Sequence, residues 1–318
     1  MRTTPLKSVA RWSAGLLILI APCWAQQPAP PNGPPPGPPR LGSINYLEGQ
    51  ASINGMPLEP NSAGFAVLEK DQTLTTQSGK VEVLLTPGVF LRVDENSSVK
   101  MISPDLANTR VQLDKGRAFV EVLNIRDQND IRVDQNGAST RILKDGLYDF
   151  DADHALVRVF KGKAETTVGN QHATFGNSHE LALMPGVKLK ANKFDSKAPE
   201  DAFYRWNSLR SGYLSEESIS AARAYMGPGP GAYGPGWTGL GWYWDPWFGA
   251  YTFLPGSEVY WGPFGWGFYS PFVVYRTPYF FHPGVPHRFG EFHYPYGHGV
   301  PRGGGGFRGG GGFRGGRR

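Results

Sequence analysis

Between Asn136 and Gly169 the chain reads NGASTRILKDGLYDFDADHALVRVFKGKAETTVG, with apolar and polar residues alternating and a turn signal every eight to ten positions. Successive side chains of a strand face opposite sides, so Tyr148, Phe150 and Ala152 share one face and Asp149, Asp151 and Asp153 the other. Asp145-Gly146 and Lys161-Gly162 read as tight turns, because glycine accepts the positive φ that such turns use. The expected strands are about 146–152, 155–160 and 163–168; the helical spacing of three and four is absent.

An upstream stretch repeats the pattern. With a shift of 58 positions, Gly79 meets Gly137, Leu85 meets Leu143, Gly88 meets Gly146, Phe90 meets Tyr148 and Val99 meets Val157. Two copies suit a duplicated β unit that shares one core rather than a long solenoid. Further candidate strands are Ser43–Leu47, Gln50–Ile53, Gln72–Thr76, Val81–Leu85, Val89–Val93, Val99–Ile102, Val111–Asp114 and Ala118–Val122. Short strands this closely spaced, with Gly, Asn and Asp turns, predict an all-β domain over 41–190, a sandwich or short β-solenoid of duplicated strand units. About 150 residues can bury a core without metal or disulfide support.

The same residues carry a resemblance. Gly49-Gln-Ala-Ser-Ile53 opens it, followed by an Asn54-Gly55 hairpin turn. Thr76-Gln-Ser-Gly79 leads through Val83, Leu85, Gly88 and Leu91, and Asp145-Gly146-Leu147-Tyr148 precedes Val159-Phe-Lys-Gly162-Lys-Ala164. In this pattern the chain resembles the FecR family of bacterial envelope proteins across 41–190, with Asp-Gly-Leu where Gly-Thr is usual. The resemblance implies a non-enzymatic β domain that binds partners. Regulatory members place a cytoplasmic anti-sigma segment and a transmembrane helix before this domain and relay signals from outer-membrane transporters. The expectation here is a chain without those two parts, in a sensing or scaffolding role.

The N-terminus supplies the export signal. Arg2, Lys7 and Arg11 precede an apolar run from Ala14 to Ala21, and Cys23 and Ala25 stand at −3 and −1 of a cleavage site before Gln26. The run is about half the length a membrane-spanning helix needs. A lipoprotein would acylate Cys23, but Pro22 stands where a small residue is expected. Residues 1–25 therefore read as a cleaved signal peptide, and the expected location is periplasm or outer-membrane surface. Cleavage removes the sole cysteine and lowers the formal net charge from +5 to +2. The mature chain then has neither disulfide nor thiol chemistry. Residues 26–40 are a proline-rich spacer in extended conformation, or alternatively a proline-rich ligand.

Within 41–190 no nucleophile–base pair, phosphate-cradling loop or zinc-ligand set stands out, so no catalytic, cofactor or metal residues are assigned. His154, His172 and His179 lie near strand ends and read as surface residues. Asp149, Asp151 and Asp153 present carboxylates that calcium could use, yet neither the glycine bend nor the closing Glu of a calcium loop follows. A solvated strand face is the expectation there. Over 195–226 the spacing of Asp201, Phe203, Trp206, Leu209, Arg210 and Tyr213 predicts a helix packed on the β domain. Gly212 is expected to end it and Ser215 to cap a second helix through Ala224.

Residues 227–300 interleave aromatics with Gly and Pro; 227–281 hold six of the nine tryptophans and only three charged residues, Asp245, Glu258 and Arg276. The breakers exclude a transmembrane helix. Two readings stay open: a partly disordered low-complexity segment collapsed on its own aromatics, or an interaction surface for glycan or an envelope protein. Trp237, Trp242, Trp244, Trp247, Trp261 and Trp266 are the candidate contacts. His282, His287, His293 and His298 follow at loose intervals without a metal-site pattern. The tail 301–318 resembles Arg/Gly-rich RNA-binding segments, but on an exported chain Arg308, Arg314, Arg317 and Arg318 would meet anionic lipid or lipopolysaccharide instead. The alternatives to an envelope-binding protein are a polysaccharide-active enzyme, which needs a juxtaposed carboxylate pair, and RNA binding if the chain is not exported.

Overall fold

The computed structural model describes residues 37–184, 186–197, 200–229, 232–233, 239–246 and 248–276. Residues 1–25, read above as a signal peptide, most of the proline-rich stretch, Trp237, Trp247, the four later histidines and the arginines of the tail lie outside the described residues.

The β domain begins with β1 (Ile44–Ile53), β2 (Met56–Pro57), β3 (Thr73–Leu84), β4 (Val89–Val93) and β5 (Ser98–Asp105). It continues with β6 (Asn108–Lys115), β7 (Arg117–Val122), β8 (Ile131–Gln135), β9 (Ala138–Ile142) and β10 (Gly146–Asp151). β11 (Leu156–Lys161), β12 (Lys163–Val168), β13 (Gln171–Gly176), β14 (His179–Ala182) and β15 (Ala191–Lys193) complete it. All fifteen join one sheet, ordered β13-β12-β9-β8-β6-β5-β3-β4-β7-β10-β11-β14-β15, with β1 and β2 attached beside β3. The far end strand β13 touches β14 and β15 of the opposite end, so the sheet nearly closes on itself.

β3 is the hinge of this architecture. Thr73–Thr75 pair with β5 in one arm, whereas Val81–Leu84 pair with β4 in the other. Both arms then fold their apolar faces onto one core. Met101, Val111, Leu113, Ile131, Val133 and Ile142 of one arm join Val83, Leu91, Val120, Tyr148, Phe150 and Val159 of the other. Alternation in each strand supplies this inward face. The bend in β3 depends on glycine. Gly79 stands opposite Gly49, where the β1–β3 ladder shifts register. A Cβ on Gly79 would lie 2.3 Å from the Glu48 carbonyl oxygen and 2.5 Å from the Gln50 nitrogen. The expected breaks inside β1 and β3 are thus bends in continuous strands. The Asn54-Gly55 turn forms as read, with φ of 50° and 80° and Ile53 opposite Met56.

Three expectations are corrected. β4 and β10 flank β7 symmetrically, but Val89 and Gly146 both face Val122, one position off the proposed shift. Phe90 consequently points to the outer face and packs there with Leu84, while Tyr148 lies in the core. Gly146 has no positive φ; it is glycine because a Cβ would meet the Lys161 carbonyl oxygen at 2.0 Å. The helical segment is one helix, α1 (Ala202–Ala224), not two. Gly212 lies inside it under the Trp266 ring, which a Cβ would approach to 3.1 Å. Ser215, rather than capping a helix, donates its hydroxyl to the Gly267 carbonyl at 2.5 Å. The cap is Asp201, whose carboxylate accepts the Tyr204 N–H at 2.9 Å.

Beyond α1 come β16 (Met226–Gly229) and β17 (Ala232–Tyr233), then hairpins β18 (Gly241–Asp245) with β19 (Ala250–Leu254) and β20 (Val259–Trp261) with β21 (Gly267–Tyr269). A short helix α2 (Pro271–Arg276) follows. The described part of the aromatic segment is therefore ordered as hairpins. Phe253 and Phe268 pack with Leu84, Phe90 and Leu214. Among the described residues no helix is long and apolar enough to cross a membrane.

Gly79→Ala should lower the unfolding free energy by about 1–3 kcal/mol, the range for forcing a methyl into a filled site. Urea denaturation measures it, and an unchanged midpoint would remove the steric role given to this bend.

Candidate functional site

Three apolar runs within the strands are each interrupted by one charge: Glu82 in VEVL, Arg92 in VFLRV and Glu121 in AFVEV. Alternation puts all three on the sheet's outer face, away from the core. Glu82 lies directly opposite Arg92, and Arg92 sits diagonally from Glu121 across β7. The Arg92 guanidinium donates to Glu82 through Nε at 2.8 Å and to Glu121 through Nη1 at 2.7 Å, and all three side chains have no solvent exposure. On a bare sheet this row would face water. It is buried because α1 and the two hairpins lie over it.

The lid is fastened through the same charges. Arg210 of α1 reaches Glu82 through Nε at 3.2 Å and Glu217, two turns further on, through Nη1 at 2.9 Å. Its guanidinium also lies 4.7 Å from the centre of the Tyr46 ring, a cation–π contact. Ser211 donates to Glu121 at 2.8 Å. Asn45 of β1 donates to Glu82 at 2.8 Å and to the Tyr251 carbonyl at 2.8 Å, while its amide oxygen accepts the Tyr251 N–H at 2.7 Å. One side-chain amide thus pairs with the β19 backbone as a neighbouring strand would.

A second ionic group holds the start of α1. Asp149 receives Arg117 through Nε at 2.8 Å and Nη2 at 2.9 Å, and Arg158 through Nη1 at 3.0 Å. Arg117 also pairs with Asp201, the α1 cap. The expectation of a solvated Asp149, Asp151 and Asp153 face is therefore wrong for Asp149, which is fully buried with both oxygens held by arginine, and for Asp151, which is also buried, while Asp153 is exposed. Asp151 bonds the His154 ring at 2.8 Å and Asp153 accepts the Gly116 N–H at 2.9 Å. His154 itself is largely exposed, His172 is exposed and His179 half-buried.

The central cluster has more acid than base: Glu82, Glu121 and Glu217 face two guanidiniums, Arg92 and Arg210. Burial strongly opposes charge on Glu82, yet Arg210 and Arg92 hold its pKa below the usual carboxylate range. Burial raises Glu121 despite Arg92 and Ser211. Glu217 is pushed up to about 7, first by burial and then by Glu82 and Asp245, against the pull of Arg210. The charged groups of this cluster are enclosed and engaged with one another.

The structure places the candidate tryptophans as follows. Trp242 meets the Phe90 ring edge-on at 4.8 Å, and Trp244 meets Tyr251 at 5.1 Å. Trp261 lies 6.2 Å from Tyr269, and the Trp266 indole N–H donates to the Ser208 carbonyl at 2.8 Å. All four are half-buried. Trp206 donates its indole N–H to Glu48 at 2.8 Å. Reading the sequence by motif passed over Glu82, Arg92 and Glu121. The available signal was a charge inside each of three apolar runs, VEVL, VFLRV and AFVEV.

Residues 71–165, which lie within the β sheet, match the family model described as FecR protein. Two crystal structures described as an anti-sigma factor of Parabacteroides distasonis ATCC 8503 are similar. The first has 14% identity and a TM-score of 0.36 over 43% of this chain and 64% of its own. The second has 12% identity and a TM-score of 0.34 over 57% of this chain and 97% of its own. This chain thus spans just under two thirds of the first. No curated protein matches.

Because the folded Glu217 pKa lies above the ordinary value of 4.5, the folded state binds the extra proton, and this group's contribution to stability is lost as pH rises from about 4.5 through about 7. Glu217→Gln should therefore melt a few degrees above the parent at pH 8, with the gap closing by pH 5. Thermal melts across that range test it; a constant gap would contradict the assignment.

Proposed function

We propose that this is an exported, non-enzymatic envelope protein whose FecR-like domain binds a partner in a sensing or scaffolding role. The observation that carries this reading is the use of the enclosed acids. Glu82, Glu121, Asp149 and Glu217 are each held by arginine within the fold. Their chemistry goes into joining a lid to a sheet, which favours work by contact. The signal-peptide pattern of residues 1–25, with cleavage after Ala25, supports export to the periplasm or outer-membrane surface.

In this reading the aromatic segment and the basic tail associate with the envelope, either with a protein or with glycan or anionic lipid. Exposed parts of Trp242, Trp244, Trp261 and Trp266 supply flat stacking surfaces, with Trp237 and Trp247 beside them in sequence. Arg308, Arg314, Arg317 and Arg318 supply positive charge for an anionic surface, which acts through Coulomb attraction and weakens with salt.

Fractionation of the native host tests both halves. The full chain should appear in the envelope with Gln26 as its first residue. Replacing the four tail arginines by Gln should move several-fold more of it to the soluble periplasmic fraction. A cytoplasmic product that keeps its first 25 residues would refute the proposal.

A further inference from the structure

Two neighbouring turns bring Lys144, Lys161 and Lys163 to one open groove of about 600 Å³, which Asn177 and Phe175 also line. The first turn joins β9 to β10 and the second joins β11 to β12. All three lysines are exposed. None lies within 4.0 Å of a carboxylate among the described residues, unlike Lys80 and Lys100.

The turns are not merely adjacent. The buried Tyr148 hydroxyl is clamped between them: it donates to the Lys144 carbonyl at 2.5 Å and accepts the Lys163 N–H at 3.0 Å. Gly162 makes this approach possible, since a Cβ there would stand 2.2 Å from the Tyr148 oxygen. Its own N–H donates to Asn177 at 2.7 Å, which ties the second turn to the loop after β13. The Leu143 N–H donates to the Lys163 carbonyl at 2.9 Å. The ammonium-bearing backbone is therefore fixed before any ligand arrives, and the entropic cost of gathering three like charges is met by folding.

We propose that this groove binds a polyanion bearing closely spaced phosphate groups. Lysine ammonium ions act as point charges toward phosphate oxygens. Three of them on two fixed turns offer neighbouring positions along a chain, and the openness of the groove suits a ligand that passes through it. Asp145 is the one carboxylate in the lining. It accepts the Ile125 N–H at 2.7 Å and so orders the loop after β7, while its charge opposes the ligand. The inference concerns the FecR-like domain itself and does not rest on export.

The test uses the full chain with Arg302, Arg308, Arg314, Arg317 and Arg318 each changed to Gln, so that the tail does not bind in place of the groove. Titration calorimetry with inorganic polyphosphate and co-sedimentation with phosphatidylglycerol vesicles provide two arms. Adding Lys144→Gln, Lys161→Gln and Lys163→Gln should weaken binding by about tenfold or more at 0.1 M salt, with melting temperature unchanged, and should flatten the salt dependence. Asp145→Asn, which keeps the oxygen that accepts the Ile125 N–H, should strengthen it several-fold. Binding of polyphosphate alone would assign a free phosphate chain, and binding of vesicles would assign lipid headgroups. The proposal is overturned if neither probe binds, or if the triple lysine variant binds as well as its parent.

Discussion

Arg92 sits with no exposure between Glu82 and Glu121, and the arrangement of everything above the sheet follows from that burial. Removing an ion from water costs several kcal/mol even after relaxation, and attraction between partners recovers this only with good geometry. Here the geometry is supplied from both sides. β3, β4 and β7 fix the row by register, and α1 brings Arg210 and Ser211 to the oxygens that Arg92 leaves open. The net gain over an apolar seam of the same shape is small by this accounting. What the ions contribute is selectivity: a lid shifted by one helical residue would strand buried charges at a cost of about 3–5 kcal/mol each.

The lid also needs the aromatic residues. Phe90, Trp242, Phe253 and Phe268 pack ring against ring on the sheet face that carries the charged row, and the row itself is excluded from water. That exclusion strengthens every ion pair inside and raises the penalty for leaving one unmade. Glycine and aromatic work together at Gly212, where the absence of a side chain lets Trp266 lie against the helix. A composition that looks like low complexity in the sequence thus includes a specific cover for a charged sheet face. The β domain and its C-terminal extension pack together across that face.

Much of the sheet was legible in the residues. Period-two alternation located the strands, and Asn54-Gly55 announced its hairpin by turn chemistry. The long-range facts were not legible. Nothing local says that β3 serves both arms, because pairing partners depend on distant strands. Gly212 reads as a helix stop by propensity, but packing under Trp266 overrides that preference. Asp149 looks like a solvated carboxylate until Arg117, Arg158 and the helix cap are placed around it. The candidate site was missed for the same reason. A lone charge in an apolar strand declares that something must cover it without saying what.

If the ion pairs join sheet and lid into one cooperative unit, the two must open together. Native-state hydrogen exchange of the full chain measures this directly, since sub-global openings appear as amides with lower exchange free energies. The amides of α1 from Ser211 to Glu217 should exchange with the same free energy as those of Val83, Leu91 and Val120 in the sheet beneath. Exchange of the helix through a distinctly lower-energy opening, with the sheet still protected, would show that the lid is an independent layer and contradict the account.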